Sequence, residues 1–294
     1  MSMVVETDLG RDMDDLLALC FMASQGVEFK VWFITPGDAD QIAVAKMLRS
    51  QFGQTFPIFC SKPDRHKSGK HSSGGIHYKL LEHFDMPLFA DPDPDGDFCI
   101  SKDDVFVCGP VTTFPEKLEA ILELDQLFMQ GGFIGFDVHD IEIAPEHRLE
   151  KFEGLTEVST FNMGGSKTRT LALLDAPFQQ RTFIGKNVCH TILYDVEMHQ
   201  DFQVRNEADE VFKLACDFHF EDKTHKAMHD VLASAIALDP SLGTFVSATP
   251  YCIKGKWGST PDESNNRVLV DVDRNRLWEM ITNKREEQGN GRGT

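Results

Sequence analysis

The chain is short of positive charge: 29 lysines and arginines stand against 47 aspartates and glutamates, a formal net charge of −18. Lys and Arg are what hold a phosphate backbone, so this balance disfavours a nucleic-acid partner. Paired cysteines are also missing. The seven at positions 20, 60, 99, 108, 189, 216 and 252 form no CxxC and mostly sit in apolar runs, where a buried free thiol is the ordinary state. An odd count with no apolar secretory stretch at the start reads as cytoplasmic. No run has the length of a membrane span. Linkers rich in Pro, Gly and Ser and repeats of fixed period are absent too. The 294 residues, 41% of them hydrophobic, therefore read as one domain over 1–294 with ample material for a core. Asp91-Pro-Asp-Pro-Asp-Gly-Asp97 is too polar and proline-bearing for a core element and reads as an exposed loop.

What is present is a regular alternation of short apolar strands and longer apolar helical patterns. Val4 to Thr7 reads as a first strand, and Leu16, Leu17, Leu19, Cys20 and Met22 as the buried side of a helix ending near Gly26. Val27, Phe29, Val31 and Phe33 alternate with period two. Pro36-Gly37-Asp38 then breaks the strand and opens a helix through Ile42, Ala45 and Leu48. Ile58-Phe59-Cys60, Val105 to Cys108 before Gly109-Pro110, and Leu127 to Met129 before Gly131-Gly132 continue the pattern. Strand and helix in this order predict an open α/β fold, a mostly parallel sheet with helices on both faces. Loops leaving the carboxyl ends of parallel strands share one edge, so Asp8 to Asp15, Asp38, Thr112 and Gly131-Gly132 should open onto one crevice.

The run Glu6-Thr7-Asp8-Leu9-Gly10-Arg11-Asp12-Met13-Asp14-Asp15 puts five carboxylates within ten residues on that edge. One or two acids would cap the following helix and complement its amino end. Four between Asp8 and Asp15 exceed that need, and carboxylates forced together are relieved by a hard cation with oxygen ligands, calcium or magnesium. Two rival motifs fail. An aspartyl-nucleophile phosphatase would need Asp where Glu6 stands, and a helix-loop-helix calcium site would need acids at alternate positions with glycine sixth and Glu twelfth. Two other segments attract notice: Ser159 to Gly165, and Lys226 to Ala233 with its His229-Asp230 pair entering an apolar helix.

Taken together, these blocks resemble the nucleoside hydrolase family of the inosine/uridine-preferring type, from end to end and in family order. The acidic run resembles the family's amino-terminal signature, with two extra residues before the paired aspartates. Gly109-Pro110-Val111-Thr112 resembles its Gly-Pro turn, Phe161-Asn162 its Phe-Asn pair, and Met228-His229-Asp230 with Leu238-Asp239-Pro240 its His-Asp helix; Val268 to Arg274 is similar to its closing block. The resemblance implies calcium-dependent hydrolysis of the N-glycosidic bond of a ribonucleoside to base and ribose, in purine or pyrimidine salvage, by a homo-oligomer, dimer or tetramer, acting on a small-molecule nucleoside. It implies Asp8, Asp15, Asp230 and the Thr112 carbonyl as metal ligands, with Asp8 also the general base. Asp14 would hold a ribose hydroxyl, Asn162 a further sugar contact, and His229 would protonate the leaving base near neutral pH.

Three departures bear on substrate. Asp38 stands where the family usually has asparagine beside the sugar, which adds an acid to the pocket. Thr160 replaces a glutamate that meets the 5′-hydroxyl. Residues 201 to 225 hold no Tyr or Trp for the leaving group, although Phe212, Phe218 and Phe220 offer rings. Gly164-Gly165-Ser166-Lys167-Thr168-Arg169 beside the lost acid reads either as a solvated cationic surface or as a phosphate contact at a helix start, which would make the substrate a 5′-nucleotide. Ribosyl transfer at the same carbon and a non-catalytic ligand-binding homologue remain alternatives to hydrolysis. His71 to His77 reads as a lid or a flexible turn, and Trp257 as an exposed loop aromatic.

Overall fold

A computed structural model describes residues 1–10, 12–94, 103–112, 124–139 and 141–283. Arg11, Cys99 and the end of the Asp91 to Asp97 loop lie outside them. The strands are β1 (Ser2–Thr7), β2 (Glu28–Ile34), β3 (Ile58–Cys60), β4 (Asp104–Val107), β5 (Leu124–Gln130), β6 (Phe178–Ile184), β7 (Leu193–Asp195), β8 (His225–Ala227), β9 (Gly243–Ile253), β10 (Lys256–Pro261) and β11 (Asn266–Val272). Nine of them form one sheet in the order β10-β9-β11-β6-β5-β4-β1-β2-β3, and β7 pairs with β8 apart from it. From β3 across to β11 every pairing is parallel, and β9 and β10 extend that edge antiparallel. This is the predicted mostly parallel α/β sheet, with an antiparallel hairpin added at one side.

The helices bury the sheet for the reason the strands announce. Met3 and Val5 point into one apolar layer while Val4 points into the other, the period of two dividing the strand between two cores. α1 (Asp14–Ser24) is buried from Asp14 through Met22, and two acids in its first turn complement its amino end. α2 (Ala39–Gln51) starts at Asp38 with a reciprocal capping box to Gln41. α3 (Ile76–His83), α4 (Phe161–Gly164), α5 (Lys167–Asp175), α6 (Lys186–Cys189), α7 (Val196–Gln200), α8 (Glu207–Phe220), α9 (His229–Leu238) and α10 (Arg274–Thr282) follow. Helix α9 is buried from Asp230 through Ala237 and packs against both α1 and β5. That packing brings a segment from beyond residue 225 against the amino-terminal loop.

β1 is the strand from which the chain winds both ways, toward β2 and β3 on one side and β4, β5 and β6 on the other. Ligand crevices of open α/β sheets lie at such a reversal, outside the carboxyl ends of the strands. Asp8 is the first residue past β1. The neighbouring turn crosses so closely that a Cβ on Gly109 would lie 2.5 Å from the Asp8 nitrogen and 2.7 Å from the Thr7 carbonyl carbon. Gly109→Ala should therefore force two backbones apart and lower stability by about 1–3 kcal/mol. Denaturant unfolding of the variant checks this, and an unchanged midpoint would refute the tight crossing.

Candidate active site

Four carboxylates meet at the end of β1. Asp15 lies in the first turn of α1, and its Oδ1 accepts the Thr7 hydroxyl at 2.5 Å and the Asp8 N–H at 3.2 Å. Asp14 reaches across to α9, where its Oδ2 accepts the N–H groups of His229 at 3.1 Å and Asp230 at 3.3 Å. Its other oxygen is buried with no hydrogen bond. Asp230 is buried in turn against Asp14, Asp15 and Asp8.

Burial and mutual repulsion set the protonation of this group. Desolvation, then Asp15, pushes Asp8 up to about 9. Desolvation raises Asp14 to about 7 against the pull of Lys226, and Asp15 to about 6 against its hydrogen bond from Thr7. Asp230 is driven well above the carboxylate range by burial and by its three acidic neighbours. Asp12 at the rim behaves differently: burial opposes its charge, but Lys226 at 2.9 Å overrides that and holds it low. The shared donor set is all oxygen, hard and over-supplied with negative charge, and an oxygen-seeking divalent cation suits it.

The surrounding loops are fixed by polar residues. Thr112, expected to lend a carbonyl, stands at the crevice through its N–H, which donates to Glu6 Oε1 at 2.7 Å, and its hydroxyl lies 2.8 Å from that of Thr35. Gln41 accepts the Gly37 and Asp38 N–H groups and donates to the carbonyls of Leu9 at 2.6 Å and Thr35 at 3.0 Å, so it ties the acidic loop to the turn after β2. Asn162 donates its amide to the Cys108 carbonyl and to both Gln130 oxygens within 3.0 Å. Its NH₂ group therefore clamps the ends of β4 and β5.

Several sequence expectations change here. Asp38 adds no free charge to the pocket, because Arg65 pairs with it through two guanidinium nitrogens and Ser72 donates a hydroxyl at 2.6 Å. His229 is pulled down to about 4 by burial and by Lys226, so its imidazole is neutral at pH 7 in the unliganded protein. Phe212 is buried, stacked on Phe202 with centroids 4.9 Å apart, while Phe220 packs beside Tyr194 and His199. Trp257 is only 1% exposed, bridged in β10 to Val158. The His71 to His77 turn is anchored at Ser72 and Ser73, whose N–H groups donate to Asp40, and His77 is fully buried.

The residues that sequence reasoning missed are cations and soft donors. Lys226 lies 3.8 Å from Asp14 as well as beside Asp12. The ring of His190 stacks near that of His229, centroids 5.0 Å apart, and Lys151 Nζ lies 2.9 Å from His190 Nδ1. Lys226 adjoins the His-Asp dipeptide and was legible there as a candidate. Nothing local marks His190 or Lys151.

Neither a family model nor a curated protein sequence matches the chain. Solved structures do. A plant nucleoside hydrolase superposes with TM-score 0.65 at 17% identity, covering 96% of this chain and 97% of that one. A purine-preferring ribonucleoside hydrolase from Gardnerella vaginalis gives 0.62 at 16% identity, over 96% and 97%. An inosine-uridine preferring nucleoside hydrolase from Bacillus anthracis gives 0.59 at 14%, over 96% and 98%. At such identities the likeness is one of fold, and it spans the whole sheet and its helices.

The raised carboxylates imply a pH dependence with a definite sign. A group whose folded pKa lies above its unfolded value favours folding below the unfolded pKa, and that contribution is lost as pH rises through the folded one. With chelator present, stability should therefore fall from about pH 4 upward as Asp15, Asp14 and Asp8 ionise at about 6, 7 and 9. Asp8→Asn should flatten the upper part of this fall. Urea unfolding across pH 4 to 9 measures both, and stability that rises with pH in chelator would contradict the arrangement.

Proposed function

We propose that this chain hydrolyses the N-glycosidic bond of a ribonucleoside or a related ribosyl compound to free base and ribose, with a calcium ion as cofactor. The observation that carries the reading is the gathering of buried Asp14, Asp15 and Asp230 with half-buried Asp8 at the winding reversal of the sheet, two distant segments converging on one spot. The fold shared with nucleoside hydrolases supports it. Asp8, Asp15, Asp230 and the Thr112 carbonyl would hold the ion. When bound, calcium supplies positive charge that keeps these carboxylates ionised, binds sugar hydroxyls and acidifies water.

Ionised Asp8 then takes the proton of a water that attacks the anomeric carbon. As the bond to the base lengthens, positive charge grows on the ribose ring, and the carboxylates around it stabilise that charge better than they stabilise the neutral substrate. Asp14, which has a buried oxygen without a hydrogen bond, would hold a ribose hydroxyl. His229, beside Asp14 and partly exposed, is the group assigned to the departing base. Because Lys226 and burial keep it neutral, bases that leave as stabilised anions should react faster than those that must first be protonated. Asn162 serves the site by holding the ends of β4 and β5 in register, with Thr160 two residues before it.

A reducing-sugar assay over inosine, uridine, adenosine and cytidine, with and without chelator, tests the reading. Asp8→Asn should lower kcat by about 10²–10⁴-fold, the usual loss of a general base, and Asp230→Ala should abolish the response to calcium. Free ribose as product supports hydrolysis, whereas a new glycoside would show transfer. Full activity in either variant would overturn the assignment.

A further inference from the structure

The cations of the crevice are unevenly satisfied. Lys226 is paired with Asp12, and Lys151 donates to His190. The Lys186 ammonium has no hydrogen bond or ion pair among the described residues, although it is half-buried and the chain carries 47 acids. Burial draws its pKa below the ordinary lysine value against an opposing effect of Cys189, with a smaller contribution from neighbouring Lys151. A part-buried charge without a protein counter-ion leaves its compensation to solvent or to a ligand.

Lys186 lies at one side of a cleft of about 490 Å³, whose walls include Pro110, Ser159, Thr160, Gly164 and Gly165. Thr160 is 5% exposed, and its hydroxyl is buried with no hydrogen-bond partner. The backbone at Gly164 is open, with nothing within 4 Å of where a Cβ would be. The cleft adjoins the carboxylates, since Pro110 follows the glycine that packs on the Asp8 backbone. Lys167 and Arg169, the cations that the sequence offered for a phosphate, are not among the residues that wall it.

A ribose whose diol faces the carboxylates has two substituents left to place, the base and C5. With His229 assigned to the base, the Pro110 cleft is assigned to C5. We infer that the substrate carries a phosphate on C5 of its ribose, a 5′-nucleotide or another ribosyl 5-phosphate, and that Lys186 binds this phosphate in the cleft walled by Thr160 and Gly164. This rests on the hydrolase reading of the same site, whose substrate it narrows. An ammonium meeting a phosphate forms a charge-assisted hydrogen bond, and a phosphoryl group brings three strong acceptors to it.

The test pairs binding with turnover. Ribose 5-phosphate, ribose and inorganic phosphate are titrated calorimetrically into the intact protein, and inosine 5′-monophosphate is compared with inosine in kcat/KM. Ribose 5-phosphate should bind about 10- to 100-fold tighter than ribose, the range of one charge-assisted contact, and the monophosphate should be preferred by a similar factor. Lys186→Met should collapse both ratios, Lys186→Arg should retain most of each, and Thr160→Val should reduce them less. Circular dichroism identifies any variant that fails to fold, in which case the ratios of the wild-type protein and of Thr160→Val decide. Ratios near one with inosine still hydrolysed overturn the phosphate site and leave the hydrolase reading standing. Inorganic phosphate binding as tightly as ribose 5-phosphate overturns it too, as an adventitious ion only. Lys186-dependent binding of ribose 5-phosphate without turnover of any nucleoside or nucleotide keeps the phosphate contact and refutes hydrolysis.

Discussion

The repulsion among four crowded carboxylates at the end of β1, three of them buried and Asp8 half-buried, is the constraint around which the crevice is arranged. Two of them come from the first turn of α1, one from the loop before it and one from the start of α9, so the helix packing that buries the core also forces the charges together. The protein relieves part of this with the Thr7 hydroxyl, the N–H groups of His229 and Asp230, and Lys226. What is left still holds Asp8 near 9. A divalent cation and the ionised form of the site are therefore linked: each favours the other, and cation binding must release protons.

Several polar residues elsewhere along the edge spend their side chains on holding loops in place. Gln41 uses both ends of its amide on backbone groups, Asp40 collects three N–H groups and the Tyr78 hydroxyl, and Asp38 is enclosed by Arg65 and Ser72. Buried networks of this kind rigidify loops when every member is satisfied. Among the described residues, the groups left short of partners at or beside the crevice include the second oxygen of Asp14, the hydroxyl of Thr160 and the ammonium of Lys186, while others, such as Trp32 Nε1 and Arg181 Nε, lie elsewhere in the fold.

The sheet was legible because its signals are local. Alternation in β2, the Pro36-Gly37-Asp38 break and the apolar face of α1 each announce one element within a few residues, and the shared edge of a parallel sheet then gathers Asp8, Thr112 and Asp38 without further information. Pairings between distant residues were not legible. Arg65 neutralises Asp38 from 27 positions away, and no feature of either residue announces the other. Trp257, flanked by Lys256 and Gly258, looks like a loop residue, yet its strand closes over Val158 and buries it. The lowered proton affinity of His229 was not legible for the same reason, since the depth of the crevice and Lys226, rather than the dipeptide, set it.

Lys226 joins these themes, because one ammonium lies within reach of an acid that must be ionised and a base that must carry a proton. Its charge lowers the cost of ionising Asp14 and Asp12, and by the same field it raises the cost of protonating His229. Both effects grow as the crevice is desolvated, since Coulomb interactions strengthen where water is excluded. A cation placed to hold the acidic loop together cannot at the same time leave a neighbouring imidazole poised near neutrality. Lys226 favours ionised Asp12 and Asp14 over an acidic histidine. Under the proposed hydrolysis, that would suit a reaction in which charge developing on the ribose ring, rather than proton delivery to the base, sets the barrier.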